Sequence, residues 1–450
     1  MCEISRRGFM VGCSAAIAGL AGSRFNSLAF ADPGSGPNEV LVVLFLRGGM
    51  DGLTLVPPIG GADRGHYEAA RPQLAVPLTG PDAALPLQGQ FGLHPSASPL
   101  LDLYQDGRLA IVQAAGMNEA NRSHFESMEF MELGTPGVAN TPTGWLTRHL
   151  QTSECVPEEA IMPTLAMGNL QQTSLRGDYE AVNLASPGSF NLSTGPWLWR
   201  SPQRTALRSL YQSGDSLLHT TGNQALDAVD VIELYVSEGY TPANGAVYPT
   251  TSFGDHLQVI AQMIKLDLGL SVATLDLGGW DTHAGQDYWL PVLLDEFSRG
   301  LNALYTDLDG PGSASYTQRL TLVVQSEFGR RFRENADDGT DHGHGNLMMV
   351  LSGNANGGLH GSWPGLAPGQ LFEGFDLAVT TDYRRILSEV LIRRLGNNKL
   401  GLVFPGYTDY SPLGVVSGPD LPPDYKGGPG SEIFSDGFES GDLSAWEVPG

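Results

Sequence analysis

Lysine is almost absent from this 450-residue sequence, which holds only Lys265, Lys399 and Lys426. A Schiff-base or pyridoxal mechanism, which needs an activated lysine amine, is therefore disfavoured. Basic residues number 25 against 49 acidic ones, a formal net charge of −24. A chain this acidic lacks the basic surface that nucleic acid or an anionic membrane requires, so no nucleic-acid partner is expected. A small anionic substrate stays open, because a bound cation reverses the local sign. Cysteine is scarce as well, with Cys2, Cys13 and Cys155 alone. The glycine-x-serine-x-glycine elbow, the Walker lysine loop, the dinucleotide-binding glycine pattern and the C-x-x-C pair are all missing, and with them the chemistries they carry.

The N-terminus reads as an address. Ser5-Arg6-Arg7-Gly8-Phe9-Met10 precedes a short apolar stretch, Val11 to Ala21, and then Ala29-Phe30-Ala31, a small-x-small cleavage site. That order describes a twin-arginine signal peptide over residues 1–31 and implies the twin-arginine export machinery as a partner. Its removal takes Arg6, Arg7 and Arg24 against only Glu3, and leaves Cys155 as the sole cysteine. No intramolecular disulfide is then possible. Beyond the leader the longest apolar run, Val40–Leu46, falls far short of the roughly 18 residues that cross a bilayer. The mature protein is expected to be periplasmic or secreted, with no transmembrane segment.

Hydrophobic residues make up 41% of the chain, enough for a sizeable core. Val40–Leu46 is apolar and rich in β-branched residues, as in a strand buried on both faces. Leu109–Ala114, Ser271–Leu277, Leu320–Gln325 and Leu347–Leu351 are further strand candidates. Asp255–Leu268, Leu290–Leu308 and Asp382–Leu395 carry helical stripes. Residues 135–250 are rich in Pro, Gly, Ser and Thr with weak periodicity; they read as a looped insertion or cap, with helices near Gln203–Gln212 and Ala225–Glu238. This alternation predicts an α/β fold: a three-layer α/β/α sandwich with a mostly parallel central sheet over residues 32–417. Residues 418–450 read as a Pro/Gly linker and an acidic tail.

Ligands of open α/β sheets bind beyond the C-terminal strand ends. Polar clusters are expected there: Asp281-Thr282-His283 after one strand, Glu327 after another, and Asp341-His342-Gly343-His344 nearby. Carboxylates and imidazoles suit a divalent metal, zinc first, with magnesium, manganese or calcium as alternatives. Asp51 is a further candidate, balanced against ordinary Asp-Gly turn chemistry. In Asn121-Arg122-Ser123-His124-Phe125-Glu126, Ser123 and Glu126 form the S-x-x-E pattern of a capping box. The same geometry would present the Ser123 hydroxyl to a metal as a nucleophile, with Arg122 clamping anionic oxygens. Arg330, His124 and His344 are weaker candidates.

The runs Leu44-Phe45-Leu46-Arg47-Gly48-Gly49-Met50-Asp51-Gly52, Arg122-Ser123-His124-Phe125-Glu126, Trp280-Asp281-Thr282-His283, Ser326-Glu327-Phe328-Gly329-Arg330 and Asp341-His342-Gly343 resemble, in motif order over roughly residues 38–410, the exported bacterial family called domain of unknown function 1501. That family is similar to the alkaline phosphatase and sulfatase superfamily. The resemblance implies an alkaline-phosphatase-like fold and a metal-dependent hydrolase of phosphate or sulfate esters, acting on a small anionic ester through a metal-activated serine. It implies Asp281, His283, Glu327, Asp341 and His342 as metal ligands, with Asp51 substituting for an aspartate that the superfamily carries nearer the strand end, where Gly48 stands. Phe328 replaces a superfamily histidine. The alternative is a non-catalytic envelope or binding protein on the same fold, with a degenerate or structural metal site. A polysaccharide-modifying enzyme would fit the fold as well.

Overall fold

The computed structural model describes residues 39–153, 162–186, 197–236, 239–267, 269–311 and 315–427. The expected signal peptide over residues 1–31, Cys155, and residues 428–450 of the expected linker and tail lie outside the described residues.

Val40–Leu46 forms β1, and all seven of its residues are buried. Its side chains alternate between two cores. Val40, Val42, Leu44 and Leu46 join one hydrophobic cluster, while Leu41, Val43 and Phe45 join the other. Each fully buried aliphatic side chain contributes roughly 1.5–3 kcal/mol, which is what an apolar run on a central strand supplies to both faces at once. The remaining strands of the main sheet are β2 (Leu109–Gly116), β3 (Thr164–Met167), β4 (Val182–Leu184), β5 (Val272–Leu277), β6 (Leu320–Gln325), β7 (Asn346–Ser352), β8 (Gly358–His360) and β9 (Thr381–Asp382). They form a nine-stranded sheet in the order β8-β2-β7-β6-β1-β5-β3-β4, with β9 paired to β2.

The helices used below are α1 (Gly52–Leu55), α2 (His124–Leu133), α3 (Trp145–Thr152), α4 (Arg200–Tyr211), α5 (Leu217–Val231), α6 (Ser252–Leu266), α7 (Gln286–Leu308) and α8 (Tyr383–Arg393). Leu257, Ile260 and Ile264 of α6 and Leu294, Phe297 and Leu301 of α7 pack on one face of the sheet. Met131 of α2, Trp145 of α3 and Ile386, Leu387 and Val390 of α8 pack on the other. The layers are helix, sheet, helix.

The sheet is mostly parallel but mixed. β7 runs antiparallel to both β2 and β6, whereas β1 is parallel to β5 and β6. This reversal has a consequence for function. The loop that precedes β7 emerges at the same edge as the C-terminal ends of β1, β5 and β6. The Asp341–His344 segment therefore reaches the ligand-binding edge by entering a reversed strand rather than by following a parallel one.

Residues 135–250 differ from a looped insertion. They supply α3 and two strands of the main sheet, β3 and β4, with β3 parallel to β5. The stretch expected to hold two helices carries α4 and α5, the latter continued by a π-helical turn at Ile232–Val236. Arg204 and Arg208 of α4 pair with Asp227 and Asp230 of α5. No helix among the described residues is long and apolar enough to cross a membrane.

Candidate metal centre

Three imidazoles and one carboxylate meet at the C-terminal edge of the sheet. Asp281 and His283 follow β5, His342 precedes the reversed β7, and His124 opens α2 after β2. Asp281 Oδ1 lies 3.1 Å from His342 Nε2, 3.1 Å from His283 Nε2 and 3.3 Å from His124 Nε2. His283 Nε2 and His342 Nε2 are 2.8 Å apart. The donor atoms of His124, Asp281 and His342 all lie within 4.8 Å of one another.

The other ring nitrogens each face an oxygen acceptor. His124 Nδ1 is 2.6 Å from Glu327 Oε1, His283 Nδ1 is 3.0 Å from Asp341 Oδ1, and His342 Nδ1 is 2.9 Å from the Arg122 carbonyl oxygen. Ionised carboxylates and carbonyls only accept, so each Nδ1 carries the proton. In the neutral rings every Nε2 then presents a lone pair toward the same carboxylate oxygen. His124 Nε2 is buried, and among the described residues it has no hydrogen-bond partner beyond its 3.3 Å approach to Asp281 Oδ1. Lone pairs gathered this way repel unless a proton or a metal ion lies between them, and His342 Nε2 lies within hydrogen-bond distance of both Asp281 Oδ1 and His283 Nε2. Metal-bound histidines show the same arrangement, Nδ1–H held by a carboxylate or carbonyl and Nε2 on the ion. The donor set thus fits a metal of imidazole preference.

Charge around the cluster is arranged by two buried groups. Glu327 is 1% exposed. Besides His124 it accepts from the Gly48 N–H at 2.8 Å and the Ser326 hydroxyl at 3.1 Å. Arg330 is 2% exposed and donates to the carbonyls of Gly48, Gly49, Trp280 and Thr340 and to Asp281 Oδ1. Burial alone would raise the Asp281 carboxyl; the Arg330 hydrogen bond and charge outweigh it and bring it down to about 2. The Glu327 hydrogen bond raises His124, while burial lowers His342. Burial opposes ionisation of Asp341 too, but Asn335 and His283 hold it below the ordinary carboxylate value. Phe328, where the resemblance would place a histidine, stacks obliquely on His124 and His342 with ring centroids 4.8 and 5.0 Å away. It walls the cluster rather than ligating.

The expected site residues divide accordingly. Asp281, His283 and His342 come together with His124, which outranks its sequence reading. Glu327 and Asp341 orient imidazoles instead of facing the centre. Asp51 does not join them. Its side chain is buried against Arg71 Nη1 at 2.5 Å, Thr54 Oγ1 at 2.8 Å and Gln286 Nε2 at 2.7 Å, and it caps α1. The Arg122 guanidinium is held by Asp376 and Glu373, so only its carbonyl serves the cluster. Arg330 is engaged by four carbonyls and Asp281, and its side chain has no solvent exposure, so it is buried away from an incoming ligand. His344 stacks on Phe372 at 4.1 Å, and burial with the nearby Arg122 charge lowers it to about 4.

Ser123 occupies the N-cap position of α2, but its side chain makes no cap bond. The capping box does not form, because Glu126 accepts from Asn121 Nδ2 and the Ser123 N–H donates to Asn121 Oδ1. In the chain Ser123 stands between Arg122, whose carbonyl faces His342 Nδ1, and His124. Gln286 was not legible as a functional residue; the sole signal was a polar residue at the start of a helix three positions after His283. The side chains of Asp281 and His283 are 48% and 44% exposed, so the cluster opens to solvent.

Residues 115–398 match the family model described as Protein of unknown function (DUF1501), a span that contains every residue of the cluster. No curated protein matches the chain.

Proposed function

The chain belongs to the DUF1501 family, and from that premise we propose that it is an exported, metal-dependent hydrolase of phosphate or sulfate esters. The observation that carries the reading is the convergence of three histidine Nε2 atoms on Asp281 Oδ1, with each Nδ1 facing a carboxylate or carbonyl oxygen. His124, His342, Asp281 and His283 would hold one ion. A nitrogen-rich donor set favours zinc over magnesium or calcium, which prefer oxygen. The ion would supply Lewis-acid stabilisation of an ester oxygen and lower the pKa of a nearby hydroxyl. Ser123 Oγ would form a bond to phosphorus or sulfur as it loses its proton. The ester oxygen would leave as an alcohol after taking up a proton, and water would then release phosphate or sulfate and restore the serine. The wider fold kinship to alkaline phosphatases and sulfatases belongs to this reading. So does passage through the twin-arginine route to the periplasm or the exterior, which rests on Arg6-Arg7 and the cleavage site.

A second reading, a binding protein with a structural ion, is favoured by one observation. Arg122 and Arg330, the arginines of the site-bearing segments, are both engaged by the protein itself. The open side chains of Asp281 and His283 argue the other way, since structural zinc shells are closed. Hydrolysis of p-nitrophenyl phosphate and sulfate by the zinc-loaded chain decides between them. The expected result is turnover that chelation abolishes and that Ser123→Ala lowers on the order of 10³-fold or more. Full zinc loading without turnover would leave the binding reading.

A further inference from the structure

The Gln286 side chain joins two segments that build the cluster. Gln286 opens α7 and is 1% exposed. Its Oε1 accepts from Thr282 Oγ1 at 2.9 Å and from Thr340 Oγ1 at 2.5 Å. Its Nε2 donates to Asp51 Oδ2 at 2.7 Å. The orientation of this amide is unambiguous: the Asp51 carboxylate only accepts, so nitrogen faces Asp51 and oxygen faces the two hydroxyls. Thr282 stands between Asp281 and His283. Thr340 precedes Asp341, which holds His283 Nδ1. The Thr340 N–H donates to the Thr282 carbonyl at 3.1 Å, and the Gln286 N–H donates to the Asp338 carbonyl at 2.8 Å. One buried amide thereby fixes the β5 loop to the loop before β7.

Behind it stands a rigid anchor. Asp51 is held by Arg71, whose guanidinium also donates to the carbonyls of Phe332 and Arg331. Thr282 and Thr340 are 4% and 0% exposed, so no solvent replaces these bonds when they break. We propose that Gln286 is the positioning residue of the metal centre: its amide, oriented by Asp51, ties Asp281, His283 and Asp341 into one arrangement through Thr282 and Thr340. The inference rests on the metal reading above, and it assigns Asp51 a supporting role that the sequence had offered as a ligand. Outer partners of this kind typically change metal affinity 10–100-fold when removed.

The test compares Gln286→Ala with Thr54→Val, which disturbs the same Asp51–Arg71 pair without touching either loop. Zinc affinity is measured by chelator competition, and the histidine ring nitrogens are followed by NMR. The expected result is a 10–100-fold loss of zinc affinity in Gln286→Ala and a change within about twofold in Thr54→Val at a comparable loss of thermal stability. If Gln286→Ala does not fold, the Thr282→Val/Thr340→Val pair removes only the two hydroxyl donors and is expected to weaken zinc in the same way. Unchanged affinity, or equal losses in Gln286→Ala and Thr54→Val, would overturn the proposal. If the wild-type chain takes up no zinc, the metal reading fails by itself. The His283 ring signals then decide: a mixture of tautomers in Gln286→Ala sustains the positioning role, and unaltered Nδ1–H signals refute it.

Discussion

Asp51 carries its charge inside the protein, 1% exposed, against an Arg71 side chain with no exposure. Burial alone would raise its carboxyl; Arg71 and the hydrogen bonds from Thr54 and Gln286 outweigh it, so the folded value lies below the ordinary 3.8. A depressed carboxylate contributes stability that is present above the unfolded value and is lost as pH falls through the folded one. Urea unfolding should therefore show a loss of stability below about pH 3.8 that Asp51→Asn no longer shares. At pH 7 that variant should be less stable by about 3–5 kcal/mol, since it leaves Arg71 buried without a counter-charge. A loss under about 1 kcal/mol at pH 7 would mean that the pair is not the anchor described here. Residue types at this scale were readable, and their partners were not. Asp281, His283 and His342 stood out because Gly-flanked Asp and His runs adjoin strands. Asp51 carried the same signal, and only the position of Arg71, twenty residues on, decides that it faces inward. His124 is only a weaker candidate in the sequence, and it is the fold that brings its ring to Asp281.

At the scale of elements, the turn after β1 is where close packing sets the site. Gly48 has φ +121°, and a Cβ there would stand 2.6 Å from the Asp281 backbone nitrogen. Its N–H and carbonyl serve Glu327 and Arg330. A side chain at this position would push the Asp281 loop away, so position 48 itself cannot carry a carboxylate. Gly48→Ala should cost about 1–3 kcal/mol of stability through strain and lower metal content with it. Gly369→Ala, with open space at its Cβ, should stay within about 0.5 kcal/mol. Thermal unfolding of both variants checks this, and equal stabilities would contradict it. β1 and β6 fell on their expected bounds because continuous apolar runs ended in Gly or polar residues. β3 and β4, four and three residues long within a Pro- and Gly-rich stretch, gave no period long enough to read. The direction of β7 was invisible, since strand polarity is set by the partners and not by local pattern.

On the scale of the whole molecule, an acidic chain with a net charge of −24 gathers its histidine cluster at one edge of a sheet buried on both faces. The sheet's rigidity lets loops from β1, β2, β5, β6 and β7 meet within a few ångströms, and the reversed strand brings in His342. The central claim is that this edge binds one metal ion through imidazole nitrogens. Metal content of the folded, zinc-loaded and desalted chain tests it most directly. About one zinc per chain is predicted for a single imidazole–carboxylate site. The His124→Ala/His342→Ala variant should hold almost none, while His360→Ala, whose ring contacts the Asn356 carbonyl, should retain it. Zinc well below one per chain in the wild type, or equal zinc in all three proteins, would contradict the account.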